Sequence, residues 1–544
     1  MKFGWLFTAL VCLPTPAIEA QEPTTAPGNH SIRTNDLEAD VKFLASDLLE
    51  GRLTETTGNH QAAEFIASRF GELGLTPIGN DDTYYHRFNL VTTRMQNGNT
   101  LHISGVPSLN PTLGGDFYPD PTSASSTAVG RIVFVGFGIS AATLNHDDYQ
   151  SGNLEGAVAL MLAHEPEEFS PQSPFDGTVS SEESRLVRKI LAAQARGAVA
   201  VMVAPDLHNH PGRRGPSRPM RSAWPPQTTR RVRYQLADWT EAVRIPVIQI
   251  SAELTESISA AAGHSFEALS TSAERHGGAD AIVLDRLSVE ITTSVFRQRI
   301  PNRNVVGLVE GTHPKRKNEW IIITAHYDHD GKIGERIFNG ADDNASGIAG
   351  LLEIADAYKH ALMEGSRPER SILFAAWNSE EQGLLGAWAY AQNPLHPLAH
   401  TVAVLNMDMI GRDEEIPDAG GRRFRGLEPQ TAAANRNAVN ILGYSRSPDL
   451  RLAAVQANAT TKLELKFRYD NNDSNLLRRS DQWPFLYNKV PALFIHTGLH
   501  PDYHTERDQP DKLRYEKMTR IVKMVHQLSW NLAESLDRPA YSAP

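Results

Sequence analysis

The sequence predicts an α/β protein, a mostly parallel mixed sheet flanked by helices, with a small strand-rich domain inserted into it. Three observations predict this. Continuous apolar runs such as Trp320-Ile321-Ile322-Ile323-Thr324-Ala325 recur, as strands buried on both faces require. They alternate with stretches of helical period, the pattern of strand–helix–strand units. Polar, chemistry-bearing residues follow the ends of those runs, where open α/β sheets form their ligand crevice.

The N-terminus differs from the rest. Lys2 precedes the apolar run Trp5 to Leu13, Pro14 and Pro16 break it, and Ala17-Ile18-Glu19-Ala20 follows. One positive charge, a short apolar core and a small final residue predict a secretory signal over 1–20, cleaved after Ala20, and therefore a secreted or periplasmic protein. The run is too short to span a bilayer. Cys12 is the single cysteine of the 544 residues. Bulky Val11 before it argues against a lipid anchor, and without Cys12 the mature chain has no disulfide, no thiolate nucleophile and no cysteine-bound zinc.

The next segment, 21–115, reads as the N-terminal part of the larger domain. Leu37, Val41, Leu44, Leu48 and Leu49 recur at helical spacing, and so do Ala62, Ala63, Ile66, Phe70 and Leu73, with Gly74 placed to stop the second helix. Residues 120–255 read as the insert. Short apolar runs at 131–135, 158–162, 198–203 and 245–250 surround one helix from Leu186 to Arg196. Within it, 211–233 is rich in Pro and Arg, the composition of a solvated loop. Residues 256–540 complete the main domain, with buried strands at 320–325, 372–376, 402–405 and 491–495 and a helix carrying Ile348, Leu351, Leu352, Ala355 and Tyr358.

With 53 Lys and Arg against 64 Asp and Glu, net charge −11, the chain lacks the positive excess that nucleic-acid backbones demand. Its 40% hydrophobic and 22% charged content is that of a soluble globular protein. No later stretch is long and apolar enough for membrane insertion.

The chemistry sits after the strands. Ala325-His326-Tyr327-Asp328-His329 follows the first, and Gly340-Ala341-Asp342-Asp343-Asn344-Ala345-Ser346-Gly347 opens a helix. Asn378-Ser379-Glu380-Glu381 follows the second strand, Asn406-Met407-Asp408-Met409-Ile410-Gly411 ends the third, and Tyr503-His504 stands near the C-terminus. The converging types are His, Asp and Glu without sulfur, the donor set of a catalytic rather than a structural zinc site. Three carboxylates, Asp343, Glu381 and Asp408, against two Zn²⁺ leave +1, which a hydroxide neutralises. Against a single Zn²⁺ they leave −1, a poor Lewis acid. Each motif alone has an ordinary reading, as a helix cap or a first-turn acidic pair. Five of them at strand ends or adjoining loops do not.

In these motifs the chain resembles the co-catalytic di-zinc exopeptidases, the family of bacterial leucyl-type aminopeptidases and glutamate carboxypeptidase II. The likeness runs from about residue 36 to 535. Ala193-Gln194-Ala195-Arg196-Gly197-Ala198 and Ile245-Pro246-Val247 make the insert similar to a protease-associated domain. The resemblance implies the zinc-exopeptidase (phosphorylase/hydrolase-like) fold and two Zn²⁺ per chain, with cobalt or manganese as tolerated substitutes. It implies His326 and Asp408 on one ion, Glu381 and His504 on the other, and Asp343 between them. Asp342 is left as loop or cap. It further implies Asp328 orienting His326, Glu380 as general base and Tyr503 as donor to the developing oxyanion. The expected reaction is hydrolysis of the N-terminal peptide bond of a peptide with a free N-terminus, through a water bridging the ions.

Relatives on this architecture that read a C-terminal carboxylate with arginines keep a carboxypeptidase open. A one-zinc glutaminyl-cyclase type of acyl transfer and a receptor-like homologue that lacks ligands also stay open. His329, His496 and His500 read as pocket or structural residues, and Arg478-Arg479-Ser480-Asp481 as a pocket wall. No Gly-x-Ser-x-Gly elbow or His-Glu-x-x-His helix occurs, which disfavours other hydrolase classes.

Overall fold

The computed structural model describes residues 25–105, 109–150, 152–212 and 232–543; the predicted signal with Cys12, and most of the Pro- and Arg-rich 211–233 segment, lie outside them. Two large sheets organise the chain. The larger has nine strands in the order 464–466, 438–442, 492–496, 401–407, 320–326, 371–377, 295–309, 85–95 and 235–236. Its four central strands run parallel, and antiparallel neighbours flank them.

The central strands read as uninterrupted apolar runs because both their faces are covered. Ile321 and Ile323 point into the core under helices Thr34–Leu44, Gly347–Met363 and Tyr515–Glu534. Ile322 between them points to the opposite core, with Trp377, Trp388 and Phe485. This is the two-residue alternation of a strand, with both faces apolar. On the long C-terminal helix Met518, Ile521, Val522, Val525 and Leu528 are fully buried at spacings of three and four, so one face packs on the sheet side of the molecule.

The chain steps from 320–326 to 371–377 on one side and then to 401–407 on the other. The strand order therefore reverses at 320–326. The carboxyl ends His326, Trp377, Met407 and His496 share one edge of the sheet, and the crevice at such a reversal is where α/β sheets bind ligands.

The N-terminal helices are Thr34–Leu44 and Thr57–Glu72. The first is shorter than its apolar spacing predicts. Residues Asp47–Arg52 form a separate tight turn with Leu48 80% exposed, because Arg52 folds back and takes the Leu44 carbonyl for its own guanidinium.

The second sheet has seven strands: 100–104, 282–293, 126–134, 158–162, 200–204, 247–250 and 117–119. The expected limits of 120 and 255 fall inside this layer. Strands 100–104, 117–119 and 282–293 join it from outside those limits, whereas Gln235–Leu236, from within them, pairs with 85–95 in the main sheet. Ile282–Thr293 alternates apolar and polar residues, burying Leu284, Val289 and Ile291 against the insert's core. Such half-exposed strands lack the continuous apolar signature.

Phe374, completely buried at the sheet centre, measures that core. Phe374→Ala is expected to cost about 3–5 kcal/mol in chemical denaturation. Leu452→Ala, on a surface 57% exposed, is expected to stay within about 0.5 kcal/mol.

Candidate metal centre

The carboxyl edge of the main sheet gathers the predicted residues. His326 ends its strand, Glu380 and Glu381 occupy the short turn after 371–377, and Asp408 follows 401–407. Asp343 lies in the bent segment 341–346 ahead of helix Gly347–Met363, and its peptide bond to Asn344 is cis. His504 comes from the loop after 492–496.

Asn344 explains why Asp343 sits where it does. Its amide donates to the Met407 carbonyl at 3.0 Å, and its oxygen accepts from the Gly347 and Met409 amides at 2.9 and 3.3 Å. Ser346 accepts from the Ile410 amide at 3.1 Å. The Asp343 and Asp408 segments are thus clasped to each other. Gly347 is required at this clasp, since a Cβ there would lie 2.4 Å from the Met407 oxygen. Asp342 also holds the clasp, accepting from the Gly411 amide at 2.6 Å with its second oxygen 3.2 Å from His500 Nε2.

Asp343 faces two ways. Its Oδ1 is 3.3 Å from His326 Nε2, which in turn is 3.5 Å from Asp408 Oδ1. Its Oδ2 is 3.2 Å from His504 Nε2, which is 3.5 Å from Glu381 Oε2. Tetrahedral ligands about 2.0–2.1 Å from one zinc lie about 3.3 Å apart, so these four contacts each have the edge length of a coordination shell; ligand atoms of Asp343, Glu381 and His504 all lie within 4.8 Å of one another, and so do those of His326, Glu380 and Asp408. His326 Nε2 and Asp408 Oδ1 are buried without an aligned hydrogen-bond partner. Buried polar atoms seldom stay so unless something else, such as an ion, satisfies them. The donor set, its spacing and its unsatisfied atoms fit two zinc ions.

The electrostatics follow from crowding. Burial opposes charge on His326, yet Glu380 and Asp408 hold its pKa well above the usual imidazole range. Burial likewise opposes charge on Asp343, but His329, His326 and His504 draw its carboxyl well below the carboxylate range. Glu380 goes the other way. Burial first, then Glu381, Asp481 and Asp408, push its carboxyl well up.

Asp328 stands differently from expectation. His326 Nδ1 faces the Asp328 backbone carbonyl at 3.2 Å, and the Asp328 carboxylate is 3.8 Å away. That carboxylate instead accepts from the Glu380 and Glu381 amides at 2.9 and 3.3 Å and from Thr54 at 3.3 Å. The turn after 371–377 presents two unpaired N–H groups, and a carboxylate is their strongest acceptor. Asp328 therefore fixes the Glu380–Glu381 turn, while its main chain orients His326.

A cavity of about 240 Å³ opens onto Asp343, Glu380, Glu381, Asp408, Tyr503 and His504. Arg478 and Arg479 form part of its wall, as their sequence position predicts. Tyr503 Oη accepts from Arg479 at 3.1 Å, which leaves its own proton for another acceptor.

Several contributors were not legible beforehand. His329 is fully buried with Nδ1 2.8 Å from Glu381 Oε1, closer to the centre than a pocket or structural role implies. Asp330 accepts from His504 Nδ1 across 3.1 Å and sets that ring's orientation. Ser480 donates to Asp408 Oδ2 at 2.6 Å. Asp508 accepts from the Asp342 and Asp343 amides. Arg52, buried, donates to the carbonyls of Leu44, Tyr327, Asn339 and Gly340. Its pKa is pushed down to about 10 by burial, against the pull of Asp343 and Asp328. His329, Asp330 and Ser480 adjoin motif residues; Arg52 and Asp508 are single polar residues at long range.

Residues 304–529 match the model of peptidase family M28. A probable glutamate carboxypeptidase of Zea mays is 28% identical over 228 residues, 40% of this chain and 28% of that protein. A probable zinc metalloprotease of Leptosphaeria maculans is 29% identical over 289 residues, 47% of this chain and 64% of that protein. The chain thus spans from about a quarter to under two thirds of these relatives. Among solved structures, an aminopeptidase from Aneurinibacillus sp. strain AM-1 aligns with 94% of this chain and all of its own at 17% identity and a TM-score of 0.49.

Arg52 tests the scaffold. Arg52→Met leaves the buried Leu44, Tyr327 and Asn339 carbonyls without their donor, Gly340 still accepting from the Ala345 amide, and at about 1–3 kcal/mol for each such group the loss is expected to be at least about 3 kcal/mol. Denaturant midpoints of the variant and the parent measure it.

Proposed function

Residues 304–529 form a peptidase family M28 segment, and on that premise we propose that the protein is a zinc-dependent exopeptidase, an aminopeptidase that releases N-terminal residues from peptides and is exported by its N-terminal signal. The observation that carries the reading is Asp343, with one oxygen toward His326 and Asp408 and the other toward His504 and Glu381. In this reading His326 and Asp408 hold one zinc, Glu381 and His504 hold a second, and Asp343 serves both. When bound, the ions supply Lewis acidity to the scissile carbonyl and lower the pKa of the attacking water.

The chain's own residues do the rest. Asp328 holds the Glu380 amide, so the Glu380 carboxyl is aimed into the cavity. Burial raises its proton affinity, which suits a group that takes a proton from water and returns it to the leaving amine. Arg479 occupies the acceptor side of Tyr503, so the phenol can donate toward the carbonyl oxygen as charge develops. The carboxylates that line the cavity, Asp343, Glu380, Glu381 and Asp408, favour a free α-ammonium over a carboxylate at the substrate's bound end.

A second reading rests on Arg478 and Arg479 at the wall, which would hold a C-terminal carboxylate in a carboxypeptidase. Arg478 is already paired with Glu182 at 3.0 Å. Only Arg479, whose hydrogen-bond acceptor is a phenol, offers an uncommitted charge.

Peptides blocked at the N-terminus, at the C-terminus or at neither end separate these readings by the mass of their products. The aminopeptidase cleaves only those with a free N-terminus; cleavage of N-blocked peptides from the other end replaces it with the carboxypeptidase. Glu380→Gln is expected to retain zinc and lose turnover by about 10²–10⁴-fold, measured on an amino-acid amide. Chelation is expected to abolish activity and added Zn²⁺ to restore it.

A further inference from the structure

The insert carries a second concentration of metal-ligating side chains, remote in sequence from the peptidase motifs. Strands Val158–Leu162 and Ala200–Ala204 are parallel neighbours, paired from Val158↔Ala200 to Leu162↔Ala204. The loops leaving their carboxyl ends carry His164 and Glu168 on one side and His210 on the other. His210 Nε2 lies 2.6 Å from Glu168 Oε2, and His164 Nδ1 lies 3.3 Å from the same oxygen. The two imidazole centroids are 4.2 Å apart, and one ligand atom from each of the three residues falls within 4.8 Å of the others. We propose that His164, Glu168 and His210 form a peripheral binding site for a divalent zinc-like cation that ties these two loops together.

The loops are built rather than incidental. The buried Lys189 ammonium donates to the Leu162 and His164 carbonyls at 2.8 and 2.7 Å. Glu165 is buried and accepts from Ser181. On the other side Asn209 donates to Asp206 at 2.9 Å and to Glu274 at 2.8 Å, and Glu274 also accepts from the Glu167 amide at 2.7 Å. Both loops are therefore anchored around the cluster. The His210 and Glu168 side chains are only 9% and 12% exposed, and His164, at 29%, leaves one side open for a water.

The chemistry favours an ion over a proton. Both rings aim at a single oxygen, which only one of them can approach at 2.6 Å. Burial opposes charge on Glu168, but hydrogen bonds from His164 and His210 bring its carboxyl down to about 2, so it is anionic at neutral pH. A cation in place of the shared proton would satisfy all three, with the 2.6 Å contact opening to about 3.3 Å and water as fourth ligand. Two imidazoles and one carboxylate select zinc, copper or nickel over calcium or magnesium. The chain from this loop runs on to Glu182, whose carboxylate accepts from Arg478 in the cavity wall and from Trp483.

Zinc-loaded wild type and His164→Ala/His210→Ala are passed through gel filtration and their bound zinc is counted by elemental analysis. The variant is expected to hold one zinc fewer and to keep hydrolysis of an amino-acid amide within about twofold. Equal counts, or loss of the extra zinc from wild type during filtration, overturn the proposal. The difference between the two proteins does not depend on how many ions the catalytic centre holds, so this result and that reading fail separately. Should the double variant not fold, Glu168→Gln takes its place, with the same difference of one required. Cobalt substitution adds a check. A visible absorption band present in wild type and lost in the variant supports the site, and superimposable spectra refute it.

Discussion

The fold depends on one constraint. Three imidazoles and at least five carboxylates are buried together at the edge of a sheet that is otherwise apolar. Removing such groups from water costs several kcal/mol each unless partners compensate them. The surrounding structure supplies part of that compensation. Asp328 receives two backbone amides and Asp508 two more, Ser480 donates to Asp408, and Arg52 places a positive charge beneath the cluster. What these leave unmet is local. His326 Nε2 and Asp408 Oδ1, 3.5 Å apart, stay without aligned partners. The proposed pair of cations is the term that completes this balance.

From that constraint the rest of the architecture is intelligible. The reversal of strand order at 320–326 creates the crevice, and the helix beginning at Gly347 fixes the bent segment that carries Asp343. The clasp among Asn344, Ser346, Met407 and Ile410 holds two ligand-bearing segments at one spacing. The second sheet does not supply these residues, but through Glu182 it braces Arg478, so it shapes the entrance rather than the chemistry.

How much of this was legible in the sequence follows from what each element buries. The strands at 320–326, 371–377, 401–407 and 492–496 are covered on both faces and announce themselves as apolar runs. Strand 295–309 carries Gln298 and Arg299 exposed and Arg297 and Arg303 half-buried, and 282–293 alternates polar and apolar residues, so neither stands out. That is why the limits of the second layer were placed too narrowly. The five residues now adjacent at the centre were recognisable because their short polar motifs, at strand ends or in adjoining loops, resemble those of the di-zinc exopeptidases. Arg52 and Asp508 act through backbone groups brought close only by folding, and no local pattern marks them. For Asp328 the sequence indicated the neighbourhood correctly and the contact wrongly. A His-x-Asp spacing cannot distinguish a carboxylate that reaches the ring from one that turns to a nearby pair of amides.

The most direct test of the account is anomalous diffraction at the zinc edge from crystals of the zinc-loaded protein. Two peaks about 3.5–4 Å apart are expected, one beside His326 and Asp408 and the other beside Glu381 and His504, with Asp343 between them. A single peak, or none within reach of Asp343, would contradict it.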